Sequence, residues 1–470
     1  MSQSVKMSVR LCDFFAGFFC ERFFRSEGRN GLNRWVNWWS LFLISTAVFI
    51  GVLISNGGPL WEGDTESYIR AATDLAHGEL NLLRTPGYPA LILLFNTLFG
   101  SAGLTVLSIL QQLLFLLSVM ILRHILGITG IGRRTSILLT AFYLFLPDFK
   151  LWFVTAMILT ESLSFFLFMV LSWLSVRSII NPRSLTFGTS LWMDFLIFLL
   201  IAIRPGNIYL IALYAMIWLC VCFSRRWKTL AGIAGLAGLL FVSGAVWSYR
   251  LMIKQRFDYE GITIVSFNNN YHFVRQFGLL KPEYVDNPEL RRILDECGAY
   301  SDADKGKDLI FYWGDVSRVI EIDPCYVEIN RVVQKAMFAD PAATAGALFY
   351  RMFPTETTID QSTDPWWRKI ISALSPNISF TVVFMLVCFA VIIALWIRSR
   401  RFSWLMWYLW GMTVACQLTA VIGAMSDWGR LTFGVFPLIL LMLAEFWELA
   451  RHGYMDAKYR ARRASSLTTP

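Results

Sequence analysis

Long apolar runs, separated by short segments rich in Lys and Arg, limit this chain more than any other feature. A helix needs about 20 mostly apolar residues to cross the hydrocarbon core of a bilayer. Ten stretches meet or approach that length: 38–55, 104–122, 135–153, 158–176, 187–203, 207–223, 230–249, 378–397, 404–424 and 431–449. The third ends at Pro147-Asp148, and the fifth and sixth share the break at Arg204-Pro205-Gly206, where proline stops or kinks a helix. Hydrophobic residues make up 56% of the chain, charged residues 16%, and mean hydropathy is +0.53, which excludes a soluble or disordered protein. The 42 Lys and Arg against 33 Asp and Glu are spread between apolar runs rather than gathered on one face, so no nucleic acid partner is expected. The expected fold class is an α-helical polytopic membrane protein with about ten transmembrane helices, surface helices in a first outer loop, and a small outer domain.

Orientation follows from the cations beside short loops. With the N-terminus inside, the cytoplasmic segments hold 22 Lys and Arg and only four acids, Asp13, Glu21, Glu27 and Asp456. The short outer segments hold five cations: Arg70, Arg84, Lys150, Arg204 and Arg430. The organisation is then a cytoplasmic interfacial segment (1–37), a membrane core (38–249) with its first outer loop (56–103), an outer domain (250–377), C-terminal transmembrane helices (378–449) and a basic cytoplasmic tail (450–470). Val9 to Arg25 interleaves six phenylalanines with arginines, the composition of a helix lying in the inner headgroup layer. No cleavable signal peptide is expected before the first span.

In the outer domain the β-branched run Ile262 to Phe267 suggests a strand, with helical patterns near Pro288 to Glu296, Tyr326 to Phe338 and Pro341 to Phe353. Cys297 and Cys325 are the two cysteines on the oxidising side, and spacing alone leaves open whether they pair. No solenoid repeat is present. No Cys or His pattern has zinc spacing, and His77 and His272 read as structural or exposed.

The first outer loop carries the chemistry. It runs Trp61-Glu62-Gly63-Asp64-Thr65-Glu66-Ser67-Tyr68 and closes with Arg84-Thr85-Pro86-Gly87-Tyr88-Pro89. Thr65 to Ala76 reads as a helix with Asp64 as N-cap and Gly78 as stop; Ala90 to Phe99 reads as a second helix, too short to cross. Arginine grips phosphate oxygens with a bidentate fork and lysine acts as a point charge, so Arg84, Lys150, Arg204 and Arg430 are the cations that can hold a lipid phosphate. Each can also be an interfacial anchor. Asp64 is the natural proton acceptor for an attacking hydroxyl. Glu161 within a span must face a cavity or a cation, with Lys150 as one partner, whereas Asp194 in the inner half of its span reads as a packing residue.

These elements resemble the GT-C superfamily of polyprenyl-phosphate-dependent glycosyltransferases, in the protein O-mannosyltransferase and aminoarabinose transferase-like branch. The resemblance rests on Asp64 after the first span, Tyr68 and Ala72 behind it, Arg84 to Pro89, Leu159-Thr160-Glu161, Ile203-Arg204-Pro205-Gly206 and Gly429-Arg430. It implies transfer of a sugar from a polyprenyl-phosphate carrier to a glycan, lipid or protein acceptor on the outer face of a bacterial inner membrane. Asp64 is then catalytic and Arg84 and Arg430 lie near the donor phosphate, to which the charge argument adds Lys150 and Arg204, with Glu161, Tyr68 and Tyr88 in support. Glu62, Asp64 and Glu66 have the oxygen donors of a divalent-metal site, but adjacent acids in a polar loop are more often solvated, and no metal or other cofactor is expected. Trp61, Trp366 and Trp367 suit sugar stacking or an interfacial aromatic belt. The Asn268-Asn269-Asn270-Tyr271 run marks the outer domain as the region of acceptor selection. A secondary transporter or lipid flippase is the alternative, because Glu161, Asp194 and the Arg204-Pro205 break suit a polytopic carrier as well.

Overall fold

A computed structural model describes residues 53–132 except 62, 135–140, 157–300 except 225 and 226, 318, 319, 322–351, 378–399, 403–423 and 437–446, with scattered positions between 43 and 51. The expected interfacial segment 1–37, most of the span 135–153, the basic tail, Glu62, Lys150, Trp366, Trp367 and Arg430 lie outside the described residues.

The described chain is helical throughout, without a β-strand. Two helices form in the segment expected from sequence to be the first outer loop, α1 (Gly63–Ala76) and α2 (Gly87–Phe99). The membrane helices follow as α3 (Gly103–Ile128), α4 (Glu161–Ile180), α5 (Phe187–Ile203), α6 (Tyr209–Phe223) and α7 (Thr229–Phe257). The segment expected from sequence to be the outer domain contains α8 (Ile264–Gln276), α9 (Pro288–Glu296), α10 (Val327–Ala339) and α11 (Pro341–Arg351). Two more apolar helices, α12 (Ile378–Ser399) and α13 (Trp404–Gly423), return to the bundle. Among the described residues, four helical stretches are long and apolar enough to cross a membrane: Gly87–Ile128, Glu161–Ile180, Pro205–Phe223 and Thr229–Phe257. Phe187–Ile203, Met385–Ala394 and Pro437–Phe446 are shorter apolar helices.

The bundle carries its large apolar side chains on the outside as well as the inside. Phe223, Phe241, Leu240 and Trp192 are more than half exposed on helix surfaces, while Gln111, Gln112, Ser172 and Asp194 are buried between helices. Exposed apolar surface of that extent has its natural solvent in lipid.

Close packing has specific causes. On α7, a Cβ at Gly235 would stand 2.3 Å from the Trp218 ring, and one at Gly232 would stand 2.6 Å from Cys222 Sγ, so these glycines let α6 and α7 touch. Asp194 on α5 accepts a hydrogen bond from Trp218 Nε1 at 3.0 Å and faces Gly238, which gives it the packing role expected. At 29 residues, α7 extends about 43 Å at 1.5 Å per residue, longer than the roughly 30 Å core. It is therefore longer than a single crossing needs, and its C-terminal end leads into the domain that follows.

The outer domain has a core of its own, built on Phe267, Tyr271, Leu294, Ile329 and Val333. The expected strand at Ile262 to Phe267 is instead the start of α8. Ile264, Phe267, Tyr271 and Val274 recur at helical spacing and bury one face, and that period overrides the β-branched local preference. Asn287 caps α9 by accepting from the N–H groups of Glu289 and Leu290, and the Asp323 carboxylate does the same for Val327, Glu328 and Ile329 at the start of α10. Cys297 and Cys325 are not joined in a disulfide. The Cys297 thiol lies 3.6 Å from an Arg318 guanidinium nitrogen instead.

Candidate functional site

The first outer loop is fastened at three points. Leu60 pairs with Met157 in an isolated parallel bridge, bringing the start of α1 beside the start of α4. Leu82 accepts a hydrogen bond at 3.1 Å from the N–H of Ile264, and Leu80, Leu82 and Leu83 pack on the outer-domain core. Gly87 meets α5 so closely that a Cβ would stand 2.6 Å from the carbonyl oxygen of Ala202, which places the Arg84-Thr85-Pro86-Gly87 turn beside Ile203-Arg204-Pro205.

Asp64 lies in the first turn of α1 rather than at its N-cap: the helix begins at Gly63. A carboxylate there still benefits from the positive helix end. Gly78 ends the helix as expected, with φ of 75°. Arg84 is set by Asn81, whose Oδ1 accepts from the N–H groups of Leu83 and Arg84 at 2.9 Å each and whose Nδ2 donates to Asp74 at 2.6 Å. The arginine then spends its donors on α1. Nη2 donates to Asp64 Oδ1 at 2.5 Å, Nε to Ser67 Oγ at 2.8 Å and Nη1 to the Tyr68 hydroxyl at 3.2 Å. Its guanidinium carbon also lies 4.2 Å from the centre of the Tyr68 ring. The Arg84 side chain is 12% exposed and that of Asp64 37%, so the carboxylate remains open on one side.

A second pair stands beside the first. Arg204, in the break between α5 and α6, places Nη1 3.7 Å from Oε1 of Glu161 in the first turn of α4. Tyr68 joins the two: its hydroxyl feels the charges of Arg84, Glu161 and Asp64, with the Thr160 side chain close by. Burial pushes its pKa above the ordinary 10.0, with Arg84 pulling the other way. Tyr88 is fully buried beneath, its ring edge-on to Tyr68 at 5.1 Å.

Of the residues marked from sequence, the structure thus gathers Asp64, Arg84, Tyr68, Tyr88, Glu161 and Arg204 into one cluster. Glu161 pairs with Arg204; its expected pairing with Lys150 is not tested, because Lys150, like Arg430, lies outside the described residues. Sequence reasoning missed Asn81, which fixes Arg84, and Gln111, whose amide donates to the Leu159 carbonyl at 2.5 Å and holds the strand-like approach to Glu161. Asn81 had a readable signal, since asparagine bonding the backbone two and three residues ahead is a turn former.

The acid-rich start of α1 is divided in role. Glu66 pairs with Arg70 at 3.0 Å on the solvent face, with both side chains over 70% exposed, while Asp64 turns to Arg84. No group of three His, Cys, Asp or Glu able to hold a metal ion is found among the described residues. His77 bonds the Thr73 carbonyl through Nδ1 at 2.8 Å, and His272 is buried in the outer-domain core beside Tyr271. Tyr271 is itself core, so it is not a surface contact for an acceptor, and the side chains of Asn268 and Asn269 are outside the described residues. Trp61 is exposed beside the cluster. Comparison with protein-family models, with curated proteins and with solved structures finds no match.

Proposed function

We propose that this chain is an integral membrane glycosyltransferase, of the GT-C type its motifs resemble, with ten transmembrane helices and its reaction at the outer face of the bacterial inner membrane. It takes a sugar from a polyprenyl-phosphate carrier and delivers it to an acceptor hydroxyl or amine. The observation that carries the reading is the convergence of Asp64 and Arg84, 20 residues apart, with Glu161 and Arg204 around one buried tyrosine.

Asp64 is the general base. As the acceptor attacks the anomeric carbon, its proton passes to the Asp64 carboxylate, and the bond from that carbon to the phosphate oxygen breaks with its electron pair leaving on the phosphate. Arg84 and Arg204 carry the departing charge. Both guanidinium groups pair with carboxylates here, and an incoming phosphate competes for them. Transfer of Arg84 from Asp64 to phosphate unmasks the base only when donor is bound. Glu161 orients Arg204 rather than attacking carbon, so the displacement is single and inverts the anomeric configuration; retention needs two carboxyl groups about 5 Å apart across the sugar.

The test is transfer by the purified chain from a radiolabelled polyprenyl-phosphate sugar. Asp64→Asn is expected to lower turnover by about 10² to 10⁴-fold with folding intact. Arg84→Ala is expected to abolish it. Full activity in both variants removes the assignment, and substrate flux into vesicles without a glycosylated product replaces it with a transporter.

A further inference from the structure

Helices α6 and α7 touch near the loop that joins them, where Gly232 and Gly235 admit Cys222 and Trp218, and a groove lies between their other ends. The groove is open and has a volume of about 600 Å³, in the size range of a small-ligand pocket. Its walls are Ile208, Ile211 and Ala212 on one side and Ser243, Val246 and Trp247 on the other, and Gly261 and Ile262 close its top. None of these residues belongs to the Asp64 and Arg84 cluster.

Arg250 stands at the headgroup end. It stacks on Trp247 with its guanidinium carbon 5.2 Å from the ring, and among the described residues no carboxylate lies within ion-pairing distance of it. The one acid at the rim, Glu260, is taken by Lys254 at 2.5 Å and also lies within the fields of Arg250 and Arg331. Arg250 and Glu260 are thus the two charged residues of the groove's lining, and with Glu260 held by Lys254 the arginine is the cation left at the mouth of an otherwise apolar cleft. An apolar slot with surplus positive charge at its mouth is complementary to one molecule type that always bathes this surface, a lipid with an anionic phosphate head.

We propose that the groove is a site for an anionic glycerophospholipid of the outer leaflet, one acyl chain lying between α6 and α7 and the lipid phosphate on Arg250. The site rests on the topology proposed above but not on the transfer chemistry, and none of its residues takes part in that reaction. It also bears on the loop architecture: the groove's closing segment leads within two residues to Ile264, whose N–H holds Leu82 beside Arg84.

The experiment places the full chain in phosphatidylcholine vesicles doped with phosphatidylglycerol that carries a photoreactive group near the glycerol end of one acyl chain, and maps labelled peptides by mass spectrometry. Labelling is expected on 208–212 and 243–247, about tenfold weaker in Arg250→Gln through loss of the charge-assisted contact and in Ala212→Phe through filling of the slot. A phosphatidylcholine probe is expected to label no better than the variants. Equal labelling by both headgroups, or unchanged labelling in a folded Arg250→Gln chain, overturns the proposal. Displacement of the probe by equimolar polyprenyl phosphate also overturns it, since the occupant is then the carrier. Should Arg250→Gln fail to fold, the headgroup comparison on the unaltered chain decides alone.

Discussion

Arg84 concentrates four contacts in one side chain: a carboxylate, two hydroxyls and an aromatic face. Lysine can replace the charge but not the fork, so Arg84→Lys is expected to retain the fold while weakening donor binding by about tenfold or more, read as a raised KM in the transfer assay. Tyr68 gives a second residue-level prediction. Burial raises its pKa, so its neutral form is the one the folded site favours; that contribution to stability is present below pH 10.0 and fades as pH rises through the higher folded value. In the difference between the ultraviolet titrations of the parent chain and Tyr68→Phe, the tyrosinate signal should have its midpoint above pH 10.0. A midpoint at or below that pH contradicts the buried, hydrogen-bonded setting. Asp64, Tyr68 and Arg84 were legible because the polar loop between apolar runs offers few residues with such chemistry. Asn81 was not singled out, because its contribution is a pair of side-chain bonds to backbone that only the folded turn displays.

At the scale of elements, the turn from Arg84 to Gly87 depends on backbone contact with the end of α5. Gly87→Ala would put a methyl group 2.6 Å from the Ala202 carbonyl, against backbone that has no rotamer to yield. Overpacking of this kind costs about 1 to 3 kcal/mol. The expected result is a lower melting temperature together with reduced turnover, since Arg84 and Arg204 are brought together by the same contact; unchanged turnover would separate that contact from the site. Among the described residues the apolar runs coincide with helices, four of them long and apolar enough to cross a membrane, because a period and a length suffice for segments that must satisfy their backbone internally. The segment from Ile262 to Phe267 misled: six residues with β-branched members read as a strand, and the helical spacing shows only when the window is carried on to Tyr271 and Val274. Likewise nothing in sequence spacing could say that Glu161 meets Arg204, since 43 residues and two helices separate them in the chain and only the packing of α4 on α5 joins them.

Over the whole molecule, two cores meet at one loop. The bundle supplies Glu161, Arg204 and the floor under Tyr88, whereas the outer domain grips Leu80, Leu82 and Leu83 on the other side of Arg84. The first outer loop and the outer domain must therefore share one side of the membrane. In a cysteine-free background, Glu66→Cys and Lys281→Cys should both react with a membrane-impermeant maleimide from outside intact cells, with no reaction at a cysteine placed on the loop at Lys228. The opposite pattern would invert the topology. The central claim is more local: the two arginine and carboxylate pairs receive the phosphate of a lipid-linked sugar. Its most direct measurement is a structure of the chain with a polyprenyl-phosphonate sugar that cannot be cleaved. The account predicts phosphonate density within hydrogen-bond distance of Arg84 and Arg204, with the anomeric carbon on the side of Asp64; phosphonate density elsewhere, with both arginines still on their carboxylates, would contradict it.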